Sequence, residues 1–235
     1  MPGPTEWLRG YLWDKTIRRY RNAATGRIVS REKVIGLLDQ SLAQREGRIT
    51  KGVIPFVEGR CTRNEWVSRT QTLVKREYLQ SVAVARGGWD RMTPAEYGRI
   101  GQRLRLEYAR LQGTAQDIVD GKCSLAQAEQ RMHMALGRVR ALAMDVERAN
   151  QPGPKEGMTR LERRITAGEE NVCVDCERFY RMGWQPANTL PSPGEASVCN
   201  GACRCVLHSI EVPSTEALLY IGRADKGGPL LAGGA

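Results

Sequence analysis

From Asn64 to Asn150 the chain reads as three consecutive amphipathic helices, and this pattern constrains the fold more than any other feature. Val67, Val74, Tyr78 and Val82, with Trp66 and Leu73 beside them, share one face of a first helix that Gly87-Gly88 stops. Thr93-Pro94-Ala95-Glu96 opens a second helix as a capping box. The threonine caps, the proline takes the first helical position where its missing N–H is harmless, and the glutamate comes third. The seam that follows is Tyr97, Ile100, Leu104, Tyr108, Leu111, Ala115 and Ile118, ended by Gly121. Ser124 and Gln127 form another capping box. Behind them Leu125, Ala128, Met132, Ala135, Val139, Leu142, Val146 and Ala149 alternate steps of three and four, as in a heptad seam. Long helices joined by tight breaks predict a mainly α fold, an antiparallel long-helix bundle. His133 falls one position off the last seam with no second histidine or carboxylate pattern there, so it reads as a rim residue rather than a ligand.

The flanks are less regular. Trp7, Leu8, Tyr11, Leu12 and Trp13 make residues 1–14 a sticky arm, expected to dock on a partner. Thr16, Ile17 and Tyr20, a turn at Asn22–Gly26, then Ile28 and Val29 predict a small hairpin near 16–29. Ser30 caps a helix through residues 31–46 with Val34, Leu37, Leu38 and Ser41 on one side, and the segment from Gly47 to Gly59, broken by glycines and Pro55, reads as loop. Residues 150–157 are a linker by composition. The predicted organisation is an N-terminal arm, hairpin and helix over 1–63, the helix bundle over 64–151, a cysteine-rich module over 152–212 and a C-terminal strand with a glycine-rich tail over 213–235.

Charge divides along the same line. Residues 1–151 hold 27 Lys/Arg against 16 Asp/Glu, whereas residues 152–235 hold 9 against 10. A positive front half favours a polyanion, or an acidic protein surface, as neighbour, although a solvated basic surface needs no partner at all. Neither a secretory leader nor an apolar run of the ~18–20 residues needed to cross a bilayer is visible, so the expectation is a soluble protein of a reducing cytosol with no membrane partner.

Five of the seven cysteines crowd one window: Cys173, Cys176, Cys199, Cys203 and Cys205, with His208 close behind. Cys173-x2-Cys176 presents two thiols to one point, and the later cysteines offer a second pair. Two short pairs separated by a loop match a tetrahedral zinc site. Five cysteines and His208 compete for four places, and the expected ligands are Cys173 and Cys176 plus two of Cys199, Cys203 and Cys205. A structural Zn2+ fits better than a catalytic one, because no His-Glu-x-x-His helix or paired-carboxylate constellation accompanies it. Disulfides are the alternative, should the thiols oxidise after release from the cell.

The stretch "VCVDCERFYRMGW…LPSPGEASVCNGACRCVL" resembles the C-terminal cysteine motif of phage head-morphogenesis proteins, the minor head proteins of Mu-like tailed phages. That motif has a Cys-x2-Cys, a Leu-Pro-rich spacer and a Cys-Arg-Cys preceded by a further Cys or His. Here Cys173 and Cys176, "TLPSPG", and Cys203-Arg204-Cys205 with Cys199 upstream take those places. The spacer before Cys199 departs from the commoner His-Pro-x-Cys-Arg-Cys form. The segments "RYRNAATGRIVSREKV" and "ARGGWDRMTPAEYGRIGQRLRLEYARL" are similar to parts of phage structural proteins, less specifically. The resemblance implies a structural, non-enzymatic virion component near the portal vertex. It would be present in several copies, touch the portal or major capsid protein, and make non-specific contact with packaged DNA. The rival readings are a free-standing nucleic-acid-binding zinc regulator and, further off, a cysteine-dependent enzyme. The cysteine window itself carries few basic residues, unlike a base-reading finger.

Overall fold

The computed structural model describes residues 10–17, 19–166, 172–194, 198–199, 203 and 205–223. The arm residues Trp7 and Leu8, Arg204 and the glycine-rich tail from 224 onward lie outside the described residues. The chain divides into two compact units, residues 1–152 and 153–235.

The first unit is mostly helical with a short hairpin before it. β1 (Tyr11–Asp14) and β2 (Arg19–Asn22) are antiparallel, with Trp13 opposite Tyr20. The hairpin therefore lies one strand earlier than the sequence indicated. The turn at 22–26 survives as a single bridge between Arg21 and Ile28, and Tyr11, Leu12 and Trp13, expected in an arm, form the pairing strand. The reason is packing: Trp13 and Tyr20 meet edge to face at 4.8 Å, and Tyr20 donates its hydroxyl to Val84 O at 2.8 Å.

α1 (Arg31–Thr50) starts at Ser30, whose hydroxyl accepts from Lys33 N. The side chains of Leu38 and Ser41, expected on its inner face, lie outside the described residues. The helix runs through Gly47, and a 3-10 turn and α2 (Ile54–Val57) follow where a loop was expected. Gly47 is tolerated inside a helix at modest cost, and Pro55 sits in a first turn where no N–H is needed. Burial gives the segment its order: Ile49 and Val53 are buried, and Phe56 stacks on Trp66 with ring centres 5.1 Å apart.

α3 (Arg63–Arg86), α4 (Pro94–Val119) and α5 (Leu125–Asn150) are the three long helices. Each begins with a complete capping box, at Thr62/Glu65, Thr93/Glu96 and Ser124/Gln127. α3 ends at Gly87, which sits at φ 92° with Trp13 so close that an added Cβ would meet its ring at 2.3 Å. Two large apolar clusters lie among the long helices, and a third, small one joins Tyr20, Val29 and Val84. One large cluster gathers Val74, Tyr78, Val82, Ile100, Leu104, Val139, Leu142 and Val146; the other gathers Trp66, Val67, Leu111, Ala115, Ala128 and Met132. The predicted seams are buried except at their ends and at Leu73 and Tyr108, which are half-buried. Tyr97 is 46% exposed, and Ala149 is exposed while Asn150 takes the buried place, donating to the carbonyls of Ala85 and Arg86. His133 lies on the rim of α5, half-exposed and paired with Glu46 of α1. No helix among the described residues is long and apolar enough to cross a membrane.

The second unit is built on a three-stranded antiparallel sheet in the order β4–β3–β5, with β3 (Met158–Ile165) at its centre. α6 (Val174–Arg181) follows β3; then come β4 (Gln185–Pro186), β5 (Val206–Pro213) and α7 (Ala217–Tyr220). The C-terminal strand expected beyond 213 is instead this helical turn, and the strand precedes it. The turn is anchored by Ala217, which packs with Leu161, Trp184 and Val212. A second, smaller apolar group joins Phe179, Leu190 and Leu207.

Candidate metal centre

Cys173 and Cys176 stand at the start of α6. Cys173 is its N-cap, and its Sγ accepts from the Cys176 backbone N–H at 3.4 Å, a place usually held by Ser, Thr or Asp. A spacing of three at a helix start turns both side chains to one side. Cys205 lies immediately before β5, and Cys199 and Cys203 come from the segment leading to it. The antiparallel pairing of β3 with β5, Ile165 opposite Val206, brings that segment back to the start of α6.

All five sequence-predicted thiols converge. The sulfurs of Cys173, Cys176 and Cys199 lie within 4.8 Å of one another, as do those of Cys176, Cys203 and Cys205. Cys176 belongs to both groups, its Sγ 3.4 Å from that of Cys203. No set of four closes at that distance among the described residues. Four thiolates around one tetrahedral ion at Zn–S of about 2.3 Å stand roughly 3.8 Å apart, so the two groups would have to draw together about their shared Cys176 for four of these sulfurs to surround one ion. None of the seven cysteines is in a disulfide, and Cys61 and Cys123 belong to the first unit. His208 is exposed on β5 opposite Arg163, its ring 6.3 Å from that of Trp184, and belongs to neither thiol group.

Burial and mutual contact shift the thiols in different directions. Burial pushes the Cys173 thiol up, but hydrogen bonds from the Cys176 N–H and thiol and from Cys199 outweigh it and hold Cys173 below the ordinary thiol value. Cys176 is pushed far above it, first by burial and then by its neighbours Cys203 and Cys173. Cys205 is pushed up by burial and by the charge of Cys203, against the pull of Arg164. Packed thiols hinder one another's ionisation, and a bound ion inverts this by deprotonating the thiols it coordinates. The cluster could hold a metal ion, and its all-sulfur donor set suits a soft or borderline one.

Spacing does not reveal the arginine beside the cluster. Arg164 of β3 is wholly buried, with its guanidinium 5.2 Å from the ring centre of Phe179 and a hydrogen bond to Pro191 O. In the sequence it is one of several charges in "TRLERRI", with nothing to mark it as interior. No protein-family model, no curated protein and no solved structure matches this chain.

Proposed function

We propose that this chain is a structural minor head protein of a tailed bacteriophage. In this reading one Zn2+, held by Cys173 and Cys176 and two of Cys199, Cys203 and Cys205, staples its second unit. The observation that carries the reading is the convergence of all five thiols of the phage-like cysteine motif in a unit with two small apolar groups. A unit with so little core needs such a staple to stay folded.

Zinc would supply coordination and charge, and the reading assigns no residue a catalytic role. The first unit is read as an antiparallel long-helix bundle. Ion pairs and hydrogen bonds between helix ends support this: Arg86 with Glu96, Arg63 with Gln112 and Gln116, and Arg99 with Asp145. Arg69, Lys75, Arg76, Arg99 and Arg105 are exposed on α3 and α4 and would face packaged DNA or an acidic portal or capsid surface. Val174 on α6, Met182 just past its end, and Leu218 and Leu219 on α7 are exposed apolar side chains available to an assembly partner.

The test is complementation of a phage deleted for this gene with a Cys173→Ser, Cys176→Ser double variant, scored for incorporation into heads and for titre. The expected result is a protein with an intact helical unit that is not incorporated, or heads that do not fill or infect. Full incorporation with normal titre overturns the reading. Zinc content of protein purified without chelator is the companion measurement, and less than about half an equivalent removes the metal. The exposed arginines favour one second reading, a nucleic-acid-binding zinc protein. It is distinguished by sequence-selective DNA binding, whereas the head protein binds weakly, without preference, and loses affinity steeply with salt.

A further inference from the structure

Arg164 poses a question the metal ligands alone do not answer. Its side chain is 0% exposed, yet Nε and Nη1 have no hydrogen-bond partner among the described residues; only Nη2 donates, to Pro191 O. A guanidinium cannot shed its proton to escape burial, and a buried charge left without an anion is strongly unfavourable. The first unit shows the usual solution: buried Glu77 is met by Arg45, and buried Glu107 by Arg138 and Arg110. No carboxylate among the described residues plays that part for Arg164.

The geometry shows what does lie near it. The register of β3 on β5 sets Arg164 opposite Leu207, so the two side chains share a face of the sheet. Cys205, two residues before Leu207, falls toward the same face. α6 covers that face. Phe179 lies under the guanidinium, and Cys176, three residues earlier on the helix, is on Phe179's side. Cys176 and Cys205 are both buried, and both belong to the thiol group completed by Cys203. The unpartnered donors therefore sit between the sheet and the helix that carry these thiols.

We propose that Arg164 is the built-in counter-charge of a metal–thiolate centre at the five cysteines. Its buried guanidinium offsets the negative charge that the thiolates acquire when an ion binds. Four thiolates on a divalent ion leave negative charge in excess, and at the buried members, Cys176 and Cys205, that charge needs a fixed cation beside it. The inference rests on the metal reading above and assigns Arg164 a positioning role, not that of a ligand. It also carries a sign. Without metal Arg164 is an uncompensated charge, so removing it does not weaken the metal-free unit; with metal, removing it does.

The experiment uses the full chain as wild type, R164M and R164K. Zinc affinity is measured by competition with a chromophoric chelator, and melting is followed for zinc-free and zinc-loaded forms. R164M is expected to bind zinc about 10–100-fold more weakly, the range found when a group supporting metal ligands is lost. R164K, which keeps the charge, is expected to recover most of that loss. Zinc-free R164M is expected to melt no lower than zinc-free wild type. The proposal is overturned by unchanged zinc affinity in R164M or by R164K binding as weakly as R164M. A metal-free R164M destabilised as much as the loaded form also overturns it, since that marks an ordinary structural arginine. Should R164M not fold, R164Q supplies the uncharged arm, and failure of both to fold without zinc counts against the proposal. A wild type that takes up no zinc removes the metal reading itself. That outcome is seen before any variant is compared and is thereby distinct from a failure confined to Arg164.

Discussion

The two units bury charge in opposite ways. In the helical unit Glu107, 1% exposed between α4 and α5, accepts from Arg138 Nε at 2.6 Å and Nη2 at 2.7 Å, from Arg110 at 2.9 Å and from the Tyr78 hydroxyl. Glu77 accepts twice from Arg45 Nη1, although burial still pushes its carboxyl above the ordinary range. Both buried carboxylates are met by arginines of the same unit, and long apolar seams surround the pairs. In the second unit Arg164 is wholly buried and Arg163 nearly so, buried Glu162 accepts from the Asn188 backbone N–H, the buried sulfurs are Cys176 and Cys205, and the apolar groups are small. On the metal reading proposed above, the first unit is expected to fold without the ion and the second to depend on it.

The largest expected effect follows directly. Removing zinc with a strong chelator, or making the Cys173→Ser, Cys176→Ser double change, should unfold the segment from about 171 to 210. Structural zinc contributes an apparent folding free energy on the order of 10 kcal/mol in small modules. Hydrogen exchange should show loss of protection in β3 and β5 and none in α3 to α5. Loss in both units together would break the comparison.

The reciprocal change is Leu142→Asp. Leu142 is 2% exposed in the cluster with Tyr78, Val82, Val139 and Val146, and a carboxylate there has no partner. The helical unit should lose about 3 kcal/mol or more in urea melts, while zinc uptake by the second unit stays unchanged. Wild-type melting would mean the seam is misassigned.

A smaller effect is expected at the junction of hairpin and helix. Gly87 has a left-handed φ of 92°, and its missing side chain leaves room for the Trp13 ring. Gly87→Ala should cost about 1–3 kcal/mol, from backbone strain and from displacing the tryptophan. A Trp13→Ala background should reduce that penalty to the backbone part. If the penalty is the same in both backgrounds, the close approach contributes nothing.

How much could be read in advance differed between the units for a physical reason. Helix starts and seams are local. Thr93, Glu96, Ser124 and Gln127 act within one turn, and the spacing through Leu104, Leu111, Val139 and Leu142 needs no knowledge of the partner helix. Thr62 and Glu65 carry the same signal and start α3 at Arg63, one residue before the expected Asn64. Where a partner decides, sequence reading fell short. Tyr97 and Ala149 continue the periodicity past the point where anything covers them. Tyr11 to Asp14 reads as an arm until β2 is placed beside it. The cysteine spacing announced a cluster but not that Cys176 would sit in both thiol groups. Arg164 was invisible, because its burial depends on β5 and α6 together.

The smallest effect tests whether a cap means the same thing in both units. Thr93 accepts from Glu96 N at 3.3 Å, and Glu96 returns to Thr93 N at 2.7 Å, so two otherwise orphaned donors at the start of α4 are satisfied. Thr93→Ala removes one acceptor and should cost about 1 kcal/mol, whereas Thr93→Ser keeps the oxygen and should be nearly neutral. At α6 the cap is Cys173, whose sulfur takes the place of that oxygen at 3.4 Å. Judged as a cap alone, Cys173→Ser is an improvement, because a hydroxyl accepts from a backbone N–H better than a thiol does. Judged as a ligand, the same change removes one sulfur from a metal centre and loosens the unit. The two substitutions to serine therefore make a matched pair, measured by melting of each unit with and without zinc. Near-neutrality at Thr93 with zinc-dependent loss at Cys173 keeps the distinction between a unit that caps its helices for themselves and one that caps a helix with a ligand. Equal and small effects at both, independent of zinc, would make Cys173 an ordinary cap and erase it.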